Sequence, residues 1–207
     1  IPHVSPRHVR TESAARELSL RVAGLARKLH DYGIELGYHT SEHDFWPFLP
    51  EQVPQILDAT PVPSGVMTYA SKGLSRARQE PSDHPLGPGG FGTLVERVPS
   101  ENFALELDVP KMAAAGVDPV RVISALGDRL SLVHIGDVAR TGWLGDHDEV
   151  PVGEGIVEVE RVIEAAVEAG VEWVVYENEL DDDPVEKLED GMSLYDRLFD
   201  PPTRAVE

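Results

Sequence analysis

The strongest constraint on the fold lies in how four short apolar runs end. Phe103-Ala-Leu-Glu-Leu-Asp108, Leu130-Ser-Leu-Val-His134 and Trp173-Val-Val-Tyr-Glu177 each close on an ionisable group. A fourth, Ile34-Glu-Leu-Gly-Tyr-His39, leads into a cluster of His39, Glu42, His43 and Asp44. Runs this short and apolar predict strands buried on both faces, as in a parallel sheet. Barrel and open α/β enzymes place their chemistry at the C-terminal ends of such strands. Carboxylate and imidazole donors in this order suit a divalent cation such as Mg, Mn, Co or Zn.

The segments between the runs carry helical signals. Leu18, Val22, Leu25, Leu29 and Tyr32 fall at helical spacing, with Thr11 or Ser13 to cap the start and Gly33 to end it. Asp118-Pro119 is an N-cap followed by proline at the first helical position, with Val120, Ile123 and Leu126 as the apolar stripe and Gly127 as the stop. A third helix is expected over 157–169, ending at Gly170, and strands over 103–109, 130–136 and 172–178. The stretch 137–156 reads as a loop. An acidic run, Asp181 to Asp183, precedes Pro184 and a short helix, with another from Met192 to Phe199.

Strands alternating with helices imply a parallel sheet with right-handed crossovers. The first connection is far longer than the roughly thirty residues a βαβ unit needs. It holds a Pro/Gly-rich insertion at about 46–101, with a short helix expected near Pro50 to Leu57. Within it, Gly87-Pro-Gly-Gly-Phe-Gly92 has the glycines of a phosphate loop but lacks its lysine and reads as a flexible loop with no helix after it. Four parallel strands do not close a barrel, which takes about 250 residues with its helices. The chain therefore reads as one domain over 1–207: half of a barrel or a small open sheet.

Composition narrows the partners. A net charge of −19 sets a field that repels nucleic acid and anionic membranes. The acid excess is spread along the chain, a pattern suited to a cytoplasm, including one of high salt. With no cysteine, thiolate metal sites and disulfides are excluded. No apolar run is long enough to predict a membrane span.

The segments Gly33-Ile-Glu-Leu-Gly-Tyr-His39, Leu105-Glu-Leu-Asp108 with Ala115-Gly-Val-Asp-Pro119, and Gly127-Asp-Arg-Leu-Ser-Leu-Val-His-Ile-Gly-Asp137 share an order and spacing with a known family. Val152-Gly-Glu-Gly155 and Ala169-Gly-Val-Glu-Trp-Val-Val-Tyr-Glu177 complete the set. From about residue 10 to 198 the chain resembles the sugar phosphate isomerase/epimerase family, the xylose-isomerase-like TIM barrels. The resemblance implies an α/β fold made of the C-terminal half of a (β/α)8 barrel. It also implies one divalent metal held by Glu42, Asp108, His134 and Glu177. The family's usual first Glu falls near Trp46, so Glu42 stands in for it, with His39 or His43 as substitutes. The lysine of the family's His-x-Lys-Asp motif is Gly136 here, which leaves Arg140 as the candidate cation.

The implied activity is isomerisation or epimerisation of a sugar, sugar phosphate or polyol by proton abstraction next to a polarised carbonyl. Glu177 and Glu42 would be the base and acid pair. His39, His43, Asp137, Arg140 and Glu154 would contact substrate. Each residue also has a plainer reading. Asp108 can cap the following turn, and His134 can be a buried histidine bonded to backbone. Glu42, His43 and Asp44 can form an exposed polar loop. Asp137 can support His134 or cap a turn, and Glu154 can be a solvated turn residue. Asp146-His147-Asp148 is a weaker second metal candidate. Dehydration by the same residues is a further outcome, and a metal-dependent phosphodiesterase is disfavoured by the charge. The non-enzymatic alternative is a vestigial half-barrel. Either way, open sheet edges predict a homo-oligomer or a separate N-terminal half.

Overall fold

A computed structural model describes residues 4–54, 73, 83–141, 146–177 and 184–199. Helix α1 (Glu12–His30) leads into strand β1 (Leu36–His39). After the insertion come helix α2 (Gly90–Arg97), strand β2 (Phe103–Asp108), and helices α3 (Val109–Ala114) and α4 (Pro119–Leu126). Strand β3 (Leu130–Ile135) is followed by a hairpin, β4 (Asp137–Arg140) with β5 (His147–Val150), then helix α5 (Val159–Glu168), strand β6 (Trp173–Tyr176) and helix α6 (Pro184–Phe199). The sheet order is β1-β2-β3-β6, with all neighbours parallel. These are the (βα) units expected of a TIM-barrel-like fold.

Local chemistry explains the helix ends. Thr11 accepts from the Ala14 N–H, and Asp118 accepts from those of Val120 and Arg121, with Pro119 already holding a helical φ. Gly170 takes a φ of 75°, open to glycine at little cost, and turns the chain from α5 into β6.

Expectation and structure part company in several places. Among the described residues the sheet is fully buried on one face and only partly on the other. Phe103, Leu105 and Leu107 are enclosed beneath the helices, together with Val122, Ile123, Val133, Val162 and Ile163. The alternate positions Glu106, Leu132, His134 and Val175 are partly exposed, and Trp173 is 60% exposed. The strands look apolar because helices demand it of one side, and the other side carries the ionisable groups. Helix α1 packs through the small residues Ala15, Ser19 and Ala26, whereas Leu25 and Tyr32 of the expected stripe are exposed. Small side chains let α2 approach, and the Ser19 hydroxyl bonds the Ala15 carbonyl at 2.8 Å.

The expected loop 137–156 contains the β4–β5 hairpin, and α6 is one helix where two were expected. The glycine-rich segment does run into a helix, because α2 begins at Gly90. A side chain at Gly89 or Gly90 would collide with the backbone of Asp44 and Trp46 or with Val9, so close packing of that turn accounts for these glycines. Residues 52–54 are helical, in line with the short helix expected there. The rest of that helix, most of the insertion and the acidic run 181–183 lie outside the described residues. No helix among the described residues is long and apolar enough to cross a membrane.

Candidate metal centre

The register of the sheet decides which side chains meet. His39 pairs with Glu106, and Asp108 pairs with His134, so both rows project from the open face. Beyond β6 the Glu177 N–H bonds the Ile135 carbonyl at 3.0 Å, which extends the ladder and brings Glu177 beside His134. Thr40 locks the ends of β1 and β2 together: its N–H bonds the Glu106 carbonyl and its hydroxyl accepts from the Asp108 N–H, both at 3.0 Å.

Five groups converge there. The His134 Nε2 lies 2.7 Å from Glu106 Oε1, and its Nδ1 bonds the Glu177 carboxylate. The His39 Nε2 stands 3.8 Å from Asp108 Oδ2, and the two imidazole rings are 5.0 Å apart. Two trios have ligand atoms within 4.8 Å of one another: His39, Glu106 and His134; and His39, Asp108 and Glu177. Burial raises the Asp108 pKa above the usual carboxylate range, and nearby Glu177 adds to the rise. The Lys111 N–H and the charges of Lys111 and His39 partly offset it.

A divalent cation fits this donor set. The His39 Nε2 is buried and has no hydrogen-bond partner, which is costly unless something fills that role. Three carboxylates share the space with two imidazoles, a ratio that a positive ion would relieve. Asp108 also caps α3, since its Oδ1 accepts from the Lys111 N–H at 2.9 Å. The capping and ligand readings are therefore compatible, because Oδ2 is the oxygen that faces His39.

No family model and no curated protein matches this chain. Solved structures do. Two are sugar phosphate isomerase/epimerases from Parabacteroides distasonis ATCC 8503. The first has 18% identity and a TM-score of 0.57, over 92% of this chain and 53% of that one. The second has 16% identity and a TM-score of 0.60, over 94% and 55%. A D-tagatose 3-epimerase-like protein has 15% identity and a TM-score of 0.50, over 97% and 75%. Over the part they share, this chain has the fold of these sugar phosphate isomerase/epimerase structures. It spans about half the length of the two sugar phosphate isomerase/epimerases, and at these identities the likeness is one of fold.

On this barrel-type sheet the expected residues separate into two groups. Asp108, His134, Glu177 and His39 come together. Glu42 lies on a 3-10 turn (Glu42–Phe45) and accepts from Trp46 Nε1 at 3.3 Å; it belongs to neither trio among the described residues. His43 is buried, with its Nε2 2.8 Å from the Val4 carbonyl oxygen, and Asp44 accepts from the Tyr38 hydroxyl at 2.8 Å and the Ser41 N–H. Burial, with Asp44 alongside, raises the Tyr38 pKa well above its ordinary value.

Asp137 is buried, and its carboxylate accepts from four backbone N–H groups, those of Val138, Gly153, Gly155 and Val157. It organises the turn after the hairpin. Glu154 sits exposed on that turn, and Arg140 is exposed at the end of β4, paired in register with His147. Neither these two nor the Asp146-His147-Asp148 set joins a metal-type trio among the described residues. A side chain at Gly136 would come within 2.9 Å of the Glu177 carbonyl, so a lysine there would require that backbone to move. The cation near Asp108 is instead Lys111, whose Nζ lies 3.3 Å from Glu149.

Glu106 was missing from the expected site. Its signal is in the sequence, because in Phe103-Ala-Leu-Glu-Leu-Asp108 it falls two residues before Asp108 and so on the same strand face.

Proposed function

We propose that the chain carries the metal centre of a sugar isomerase or epimerase, with Asp108, Glu177, His134 and His39 as ligands of one divalent ion. The observation that carries this reading is the buried, unpartnered His39 Nε2 facing the Asp108 and Glu177 carboxylates. His39 thereby takes the place given above to Glu42. A cation held there would polarise a sugar carbonyl or the adjacent hydroxyl.

Glu177 has a side chain 44% exposed, so it is the carboxylate of the set most open to an incoming substrate and the best placed to take a proton from the neighbouring carbon. Asp108, at 7%, is a fixed ligand. A solvent-derived proton delivered to the other face of the same carbon gives an epimer, and return of the proton from Glu177 to the adjacent carbon gives an isomer. The fold of the sugar phosphate isomerase/epimerases supports the substrate class.

We also propose that further barrel strands cover the open face, from a second copy of the chain or from an N-terminal half. Strands β1 and β6 edge the four-stranded sheet, and Trp173 of β6 is 60% exposed. Sedimentation would then give a dimer, or a complex once a separate N-terminal half is supplied; a monomer that takes up neither would overturn the proposal.

The catalytic reading is tested in heavy water with Mn and a panel of ketoses and aldoses. Deuterium should enter the carbon next to the carbonyl, and Glu177→Gln should abolish it. Turnover without deuterium uptake, or uptake that survives Glu177→Gln, would sink it.

A further inference from the structure

His134 is held between two carboxylates. Its Nε2 lies 2.7 Å from Glu106, and its Nδ1 bonds Glu177. Only one nitrogen can offer a lone pair to a cation while the other carries its proton, so the two contacts have different meanings. Among the described residues His134 shares its trio with His39 and Glu106, whereas Glu177 stands in the other with His39 and Asp108, so the direct contacts of His134 are what relate it to both carboxylates.

Position along the strands separates them. Glu106 shares a row with His39, one step deeper in the sheet than the row of Asp108 and His134. Its side chain is 21% exposed, against 44% for Glu177. A substrate has to reach the ion from the strand ends, where Asp108 and Glu177 lie. The nitrogen facing that end is Nδ1. The nitrogen facing the interior is Nε2, and a carboxylate beneath it is suited to accept its proton in a hydrogen bond.

We infer that Glu106 is a positioning residue: it accepts the Nε2–H of His134, fixes that tautomer and ring orientation, and leaves the Nδ1 lone pair for the metal. The inference rests on the metal reading above. A carboxylate behind a ligating imidazole also raises its basicity, and losing such a partner typically costs about 10–100-fold in metal affinity. Glu106 therefore acts through His134 and does not touch substrate.

Zinc-loaded, 15N-histidine-labelled protein gives a direct test through long-range 1H–15N correlations. His134 should show a protonated Nε2 and a metal-bound Nδ1. Zinc titration of two variants gives the second arm. Glu106→Ala should weaken binding by about 10–100-fold. Glu106→Gln, which keeps an oxygen to accept the Nε2–H, should recover most of the loss. A cooperative melt of each variant guards against misfolding, and the labelled wild type needs no variant.

A metal-bound Nε2 would overturn the inference while leaving the metal centre standing. So would Glu106→Gln binding as weakly as Glu106→Ala, the result for a direct ligand, or Glu106→Ala binding as tightly as wild type. Wild type that binds no zinc would bring down the metal reading and this inference together.

Discussion

Asp108 ends β2 and Asp137 stands two residues beyond β3, and both are buried, yet their surroundings are opposite. Asp137 is saturated by four backbone N–H donors. Asp108 accepts one backbone N–H on Oδ1, while Oδ2 faces His39 at a distance too long for a hydrogen bond and the Glu177 charge opposes it. A carboxylate whose acceptor sites are all filled by backbone holds architecture and has nothing left for a ligand. One left short of donors, with its pKa raised, is suited to something positive that arrives later.

The contrast is most easily broken at Asp137. Asp137→Ala strands four backbone donors and should cost on the order of 3–5 kcal/mol in denaturant unfolding. A loss under about 1 kcal/mol would mean that the turn does not depend on it.

On the other side of the comparison, Glu177→Gln should leave stability nearly unchanged. It should weaken Mn binding by about 100-fold, or about 2.7 kcal/mol. Unaltered affinity would remove Glu177 from the centre. Asp44 belongs with Asp137, because the Tyr38 hydroxyl and the Ser41 N–H satisfy it. Tyr38→Phe should therefore cost about 1–3 kcal/mol of stability and leave Mn affinity alone.

A stability effect of opposite sign is expected at Asp108. Asp108→Asn keeps an oxygen to cap α3 and removes a buried charge, so the metal-free variant should melt higher than wild type at neutral pH. Its pKa is raised in the folded state, so the wild-type side chain favours folding in acid, where it is protonated in both states. That contribution is lost as pH rises through the folded value. The gap between variant and wild type should widen from acid to neutral pH, and melting curves across that range would show it. A gap that shrinks would mean the carboxylate is better satisfied than the geometry indicates.

Much of this was legible in the sequence because buried strands and the ionisable groups at their ends leave local marks. The apolar runs located all four strands of the sheet, and Asp108, His134 and Glu177 came from their ends. What was not legible depended on contacts between distant segments. Glu42 and His39 were separable only once the turn after β1 had set Glu42 against Trp46. Asp137 read in sequence as a support for His134 or as a turn cap, and only the contacts with Gly153, Gly155 and Val157, beyond the hairpin, decide for the cap. Glu106 lies two residues inside the end of its strand, where period-two alternation puts it on the same face as Asp108. The exposed face of β6 was missed because Trp-Val-Val-Tyr carries no sign of which side lacks cover.

The central claim is that the face shared by β1, β2, β3 and β6 holds one divalent ion. Calorimetric titration of the metal-free protein with Mn, repeated on Asp108→Asn, tests it most directly. The account predicts one ion per chain in the wild type and none in the variant, with the variant still folded. No binding by the wild type, or binding that the variant retains, would contradict it.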